Sequence, residues 1–179
     1  MSFIGEIEKA LEMFLGSTYD KFGISERVED IIKNEAKSGL KMIVTFNQAP
    51  LFLTSNSEII NEHFKRYGGS LEVLTQNPLQ LGELIPPIPD YVQVHKKRIM
   101  VGDVKIYYAS KKIRYEFGIL LNCAMDYVIR AEGDKFLLTD DSVVASKYAK
   151  YFEEMKKSKF VSRYDPRQDG RGFHSSTAL

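Results

Sequence analysis

The 179 residues carry 25 Lys and Arg against 24 Asp and Glu, a formal net charge of +1, so no global excess of charge marks a nucleic-acid coat or an acidic tail. With 44% hydrophobic and 12% aromatic residues the chain has the apolar material for one domain-sized core, and its single cysteine excludes an intrachain disulfide, a cysteine zinc site and a CxxC pair. No apolar run approaches the roughly 18 to 20 residues of a membrane-spanning helix and the amino terminus lacks a signal-peptide profile, which with the lone Cys123 predicts a soluble, cytoplasmic protein.

Ile4, Ile7, Ala10, Leu11, Phe14 and Leu15 recur at helical spacing among Glu6, Glu8, Lys9 and Glu12, predicting an amphipathic helix over 4–15. Breaks at Gly16 and Gly23 follow. Val28, Ile31, Ile32 and Ala36 predict a second helix over 25–38, stopped at Ser38-Gly39. Residues 41–46 (Lys-Met-Ile-Val-Thr-Phe) read as a buried strand, Ser55 to Glu58 as a capping box opening a helix to Tyr67, and 71–75 as the next strand. Strand, helix, Gly68-Gly69 and strand over about 35 residues is the length of a right-handed crossover and predicts two parallel strands.

Pro78, Pro86, Pro87 and Pro89 make 76–90 a loop. Strands are predicted over 91–101, 104–109, 115–121 and 127–131, antiparallel in part, and Asp140-Asp141-Ser142 caps a helix carrying Val144, Tyr148, Tyr151, Phe152 and Met155. The last residues, 158–179, lack apolar periodicity and are expected to be a flexible tail. The fold class is therefore α/β, a mixed sheet sandwiched by helices. The expected organisation is an amphipathic helix and linker over 1–23, an α/β domain over 24–157 and the tail.

Charge is uneven along the chain. Between Val92 and Arg114 stand Lys96, Lys97, Arg98, Lys105, Lys111, Lys112 and Arg114 against Asp103 alone, a local +6, whereas the first 36 residues carry eight acids and four bases. Lysines on strand edges also serve to prevent edge-to-edge aggregation, so the cluster has two readings: solvated edge decoration or an anion site. His95 and Lys97 are two apart in a strand pattern, which puts both side chains on one face. A lysine beside a histidine favours the neutral, nucleophilic imidazole while its ammonium holds a phosphate oxygen.

The segment from Val94 to Ser110 resembles the HKD segment of the phospholipase D superfamily. His95 and Lys97 match its H-x-K, Ser110 its serine and Glu116 its downstream glutamate. The family's aspartate position holds Gly102, with Asp103 one step late, Ala109 replaces the glycine before the serine, and Lys112 stands at the usual asparagine. The order of helices and strands over about residues 24–157 is similar to one half of that fold. The resemblance implies a degenerate phospholipase D-like half that forms a homodimer and binds an anionic ligand through Lys96, Arg98, Lys105, Lys111, Lys112 and Arg114. It does so as a non-catalytic ligand- or partner-binding domain in transcription regulation, as in the effector domains of TrmB-like regulators. The alternative it implies is a metal-independent phosphodiesterase or nuclease with His95 as nucleophile, Lys97 and Ser110 on the phosphoryl oxygens and Glu116 orienting the partner's imidazole. Nucleic acid and a phospholipid surface are further anionic partners of the same patch.

Tyr107, Tyr108 and Tyr115 interleave with the cations, the pattern of a stacking surface for single-stranded nucleic acid and also of an ordinary amphipathic strand. His63 lies on the apolar side of its helix and is expected to be structural. No metal-ligand set, no phosphate-cradling glycine loop and no Gly-x-Ser-x-Gly occurs, so no cofactor and no metal are expected.

Overall fold

A computed structural model describes Gly5 and residues 16–48, 50–78 and 103–164. The predicted helix over 4–15, the strand over 91–101 with His95, Lys96, Lys97 and Arg98, most of the loop over 76–90, and the end of the tail lie outside the described residues. The described elements run β1 (Ser17–Tyr19), α1 (Lys21–Asn34), β2 (Leu40–Phe46), α2 (Leu51–Thr54), α3 (Ser57–Tyr67), β3 (Gly69–Thr75), β4 (Asp103–Ala109), β5 (Phe117–Leu121), β6 (Tyr127–Glu132), β7 (Lys135–Thr139), α4 (Ser142–Lys156) and β8 (Val161–Tyr164).

The strands form one mixed sheet in the order β1-β7-β6-β5-β2-β3-β4-β8. β2, β3 and β4 are mutually parallel and the other pairs antiparallel. The expected crossover is present, with α2 and α3 between β2 and β3. Gly69 makes it close: at φ +156 a Cβ there would lie 2.7 Å from the Leu40 carbonyl oxygen and from the Phe64 ring.

Strand alternation sends side chains to two cores. Met42, Val44, Leu71, Val73, Ile106 and Ile129 meet the first three helices on one face, and Ile43, Leu74, Ile119 and Val128 meet Val144, Ala145, Tyr148 and Phe152 of α4 on the other. The result is an α/β/α sandwich. Helix α4 begins where expected because the Asp141 carboxylate accepts the Val143 and Val144 amides at 2.8 and 3.1 Å.

Four expectations change. Helix α1 starts at Lys21, capped by Asp20, and ends at Asn34. Residues 35–38 leave it because Glu35 and Lys37 pair their backbones with Ala124 and Asn122. The capping box at Ser55 gives way to Asn56 as the helix cap, but its amide caps nothing and instead donates to Ser25 and Phe52 carbonyls at 2.9 Å, locking α3 to α1. Strand β5 begins at Phe117, leaving Tyr115 in the preceding loop. Finally, residues 17–19 and 161–164, read as linker and flexible tail, form the two edge strands: a partner ladder satisfies their backbone groups without any apolar periodicity.

Candidate functional site

Because β2, β3 and β4 are parallel, their carboxyl ends share one edge, the edge at which open α/β sheets hold ligands. β4 finishes there at Ala109, and β5 starts there, opposite Thr45 of β2. Since β5 lies beyond β2 and β3 in the sheet, the loop 110–116 must cross the carboxyl ends of both strands. It carries Ser110, Lys111, Lys112, Arg114 and Glu116.

One side chain fixes that loop. Asn47, immediately after β2, offers its amide as a substitute peptide group: Nδ2 donates to the Ile113 carbonyl at 3.1 Å and Oδ1 accepts the Ile113 amide at 2.8 Å. The backbone N–H of Asn47 donates in turn to Glu116 Oε1 at 2.8 Å. Its carbonyl accepts from Thr75 Oγ1 at 3.4 Å, and Thr75 Oγ1 accepts from the Asn77 amide at 3.1 Å. The ends of β2 and β3 and the crossing loop are thus one hydrogen-bonded unit, and the buried Ile113 side chain anchors the loop in the second core.

With the backbone held, the cations face outward: Lys111, Lys112 and Arg114 are all exposed. Lys111 Nζ stands 3.7 Å from the centre of the Phe160 ring and the Arg114 guanidinium 5.0 Å from that of Tyr115. Such contacts contribute about 0.5–1 kcal/mol at exposed sites, little enough for an arriving anion to displace. Among the described residues neither Lys111 nor Lys112 has an ion-pair partner. Tyr115 stacks edge-on against Tyr151, 5.6 Å between centres. Burial raises the Tyr151 hydroxyl above its ordinary pKa, Tyr115 adds to the effect and Arg114 opposes it.

The other residues singled out from the sequence fare differently. The Ser110 hydroxyl donates to the Phe160 carbonyl at 3.2 Å, beside the Ser110 amide on the same oxygen at 2.9 Å, so it belongs to the β4–β8 junction. Lys105 is not brought to the loop: it lies mid-strand on β4, in register with Glu72. Tyr107 and Tyr108 point to opposite faces of β4 and form no common stacking surface. His63 is buried, with Nε2 3.3 Å from the Lys37 carbonyl and its ring packed on Tyr67. Among the described residues no three His, Cys, Asp or Glu side chains are placed to hold a metal, and no helix is long and apolar enough to cross a membrane.

Asn47, Phe160 and a buried carboxylate escape a reading of the sequence. Glu72, 8% exposed on β3, accepts from Lys156 Nζ at 3.0 Å and from the Tyr107 hydroxyl at 3.4 Å, and Arg163 donates to that hydroxyl at 3.4 Å. Burial lowers the Lys156 pKa, but the bonds to Glu153 and Glu72 outweigh it and leave it above its ordinary value. This network ties the end of α4 and the edge strand β8 to the parallel strands. The only available sequence signal for Asn47 was its place, a turn-forming amide directly after a buried strand.

No family model matches the chain, and no curated protein matches it. Among solved structures it is similar to the crystal structure of polyphosphate kinase from Porphyromonas gingivalis, at 10% identity and a TM-score of 0.49. That likeness covers 82% of this chain and 22% of the kinase, so the chain spans about a fifth of the kinase's length, and no function is transferred on it.

Proposed function

We propose that this chain is a phospholipase D-like domain that binds an anionic ligand at the carboxyl ends of its parallel strands without turning it over. In this reading it is a cytoplasmic, homodimeric ligand- or partner-binding module of a regulatory protein. One observation carries the reading: the loop 110–116 turns Lys111, Lys112 and Arg114 outward while its two groups with catalytic counterparts are engaged elsewhere. The Glu116 carboxylate holds the Asn47 amide and the Ser110 hydroxyl holds the Phe160 carbonyl. The phosphodiesterase alternative would need the Ser110 hydroxyl on a phosphoryl oxygen and the Glu116 carboxylate on the partner's imidazole.

The test is a pair of measurements on the full chain. Hydrolysis of bis(p-nitrophenyl) phosphate and single-stranded DNA is followed in EDTA, beside His95→Ala, and titration with inorganic phosphate is followed by calorimetry at two salt concentrations. No hydrolysis, with phosphate binding that weakens as salt screens the cations, is the expected result. Hydrolysis that survives EDTA and disappears in His95→Ala would replace the reading with a metal-independent phosphodiesterase. Light scattering decides the dimer.

A further inference from the structure

We infer that the turn 157–160 forms a second wall of the anion site, and that the ligand carries two or more adjacent phosphates rather than one. The inference rests on the anion-binding reading above and extends it to residues 157–160, the last three of which the sequence placed in a tail. The two segments meet directly. Val161 pairs with Ala109, the Phe160 carbonyl accepts both the amide and the hydroxyl of Ser110, and Lys111 Nζ lies 3.7 Å from the centre of the Phe160 ring.

Lys159 approaches the same ring, its Nζ 5.2 Å from the centre. Lys111 and Lys159 therefore share one aromatic spacer, with Lys112 and Arg114 following along the first segment and Lys157 beginning the second. Among the described residues Lys111, Lys112 and Lys159 have no ion-pair partner. Lys157 reaches Glu154 only at 3.5 Å with both side chains more than half exposed, a solvated contact of small consequence. By contrast Lys156, one residue earlier, is paired on both sides by Glu72 and Glu153.

Like charges gathered on two segments repel, and a bound anion relieves this only in so far as it reaches both. A single phosphate group is compact enough to be satisfied by one segment. Neighbouring phosphates on one ligand spread charge over a longer span and meet cations of both segments. The residue type agrees: four of the five cations are lysines, flexible point charges suited to a row of phosphate oxygens rather than to one fixed bidentate pair.

The experiment compares inorganic phosphate with inorganic pyrophosphate, titrated at equal ionic strength into the full chain, Lys112→Gln and the double variant Lys157→Gln/Lys159→Gln, with thermal melts confirming that each is folded. Pyrophosphate is expected to bind about tenfold tighter than phosphate. The double variant is expected to lose most of that advantage while retaining phosphate binding, and Lys112→Gln to weaken both. If pyrophosphate has no advantage, or the double variant keeps it in full while Lys112→Gln weakens both anions, the second wall is overturned and the anion-binding reading stands. If neither anion binds the folded chain, both fall. Vesicles with phosphatidylinositol 4,5-bisphosphate, set against vesicles with phosphatidylinositol, identify the source. Capture by the former that pyrophosphate competes away supports adjacent phosphates presented by a lipid headgroup, and pyrophosphate binding without capture supports a free ligand.

Discussion

The two ends of β2 are both crowded with polar side chains, yet they treat charge in opposite ways. At the amino end Arg27 donates to Asp30 at 2.6 Å and to Glu35 at 3.1 Å, reaches the Tyr127 hydroxyl at 3.4 Å, and that hydroxyl donates to Glu35. Arg27, Asp30 and Glu35 there are each paired, and Cys123 is buried beside them. At the carboxyl end the hydrogen bonds satisfy backbone groups, through Asn47, while Lys111 and Lys112 have no ion-pair partner among the described residues and Lys111 lies over the Phe160 ring. The first arrangement is closed on itself and serves the fold. The second leaves Lys111 and Lys112 exposed with no carboxylate paired to them among the described residues, which is what the proposed ligand site requires.

Removing the central acid tests the closed end most severely. Glu35→Ala removes the acceptor of the Tyr127 hydroxyl and one of the two carboxylates on the Arg27 guanidinium, and hydrogen bonds to charged groups are worth about 1.5–3 kcal/mol each. A loss of about 2–3 kcal/mol in denaturant unfolding is expected, with phosphate binding unchanged in the folded protein. A protein as stable as the wild type, or one that loses anion affinity, would mean that the two ends do not divide their roles in this way.

Asn47→Ala tests the open end. It removes two hydrogen bonds to Ile113, for which about 1–2 kcal/mol of stability is expected to be lost. Unlike Glu35→Ala, it is also expected to weaken phosphate binding about fivefold, because the loop bearing Lys111, Lys112 and Arg114 is no longer held across the strand ends. Unchanged affinity in the folded variant would show that the loop keeps its shape without Asn47.

The two ends also differ in how much of them the sequence discloses. The parallel pair, the α4 cap and the buried strand β2 were legible because their causes are local: a glycine pair, an Asp before a helix, a run of apolar residues. The exposed cations of 111–114 were legible as charges, but not as a loop crossing two strand ends, which depends on β5 pairing with β2 rather than with β4. Asn47 and Ile113 are 66 residues apart and Ser110 and Phe160 are 50 apart, so no local period announces either contact. Helix α1 stops early for the same reason, since its last turn competes with a backbone pairing to 122–124. The edge strands β1 and β8 are three and four residues long, and a ladder partner, not hydrophobic pattern, makes them strands.

Alkaline pH sharpens the contrast without any substitution. Burial, with Glu35 and Asp126 adding and Lys37 opposing, pushes the Cys123 thiol up to about 12 from its ordinary 9.0. Burial and Glu35, opposed by Arg27, push the Tyr127 hydroxyl up to about 12 from 10.0. Both groups hold their protons more tightly when folded, so the stability they contribute is complete below pH 9 and is lost as pH rises toward 12. Each group in transition costs about 1.4 kcal/mol per pH unit, so about 2 kcal/mol is expected to be gone by pH 10, most of it from Cys123. The matching measurement is Cys123 labelling by iodoacetamide at pH 8, expected to be slow in the folded chain and fast in urea. Rapid labelling of the folded protein would show that the amino end opens.

The smallest expected effect on stability is the most informative about function. Lys112 is exposed and has no ion-pair partner among the described residues, so Lys112→Gln is expected to change unfolding free energy by less than about 0.5 kcal/mol. If the open end is a ligand surface, the same change should reduce phosphate affinity and flatten its dependence on salt, since one fewer cation then contributes to a screened attraction. If Lys112 only decorates the surface against aggregation, affinity stays constant and solubility falls instead. The two physical roles make opposite demands on one side chain: a ligand cation is felt in binding at micromolar protein, whereas a decorating cation is felt only when copies crowd together. Titration and concentration-dependent light scattering on this variant therefore separate the anion site from surface decoration, with no contribution from a change in the fold.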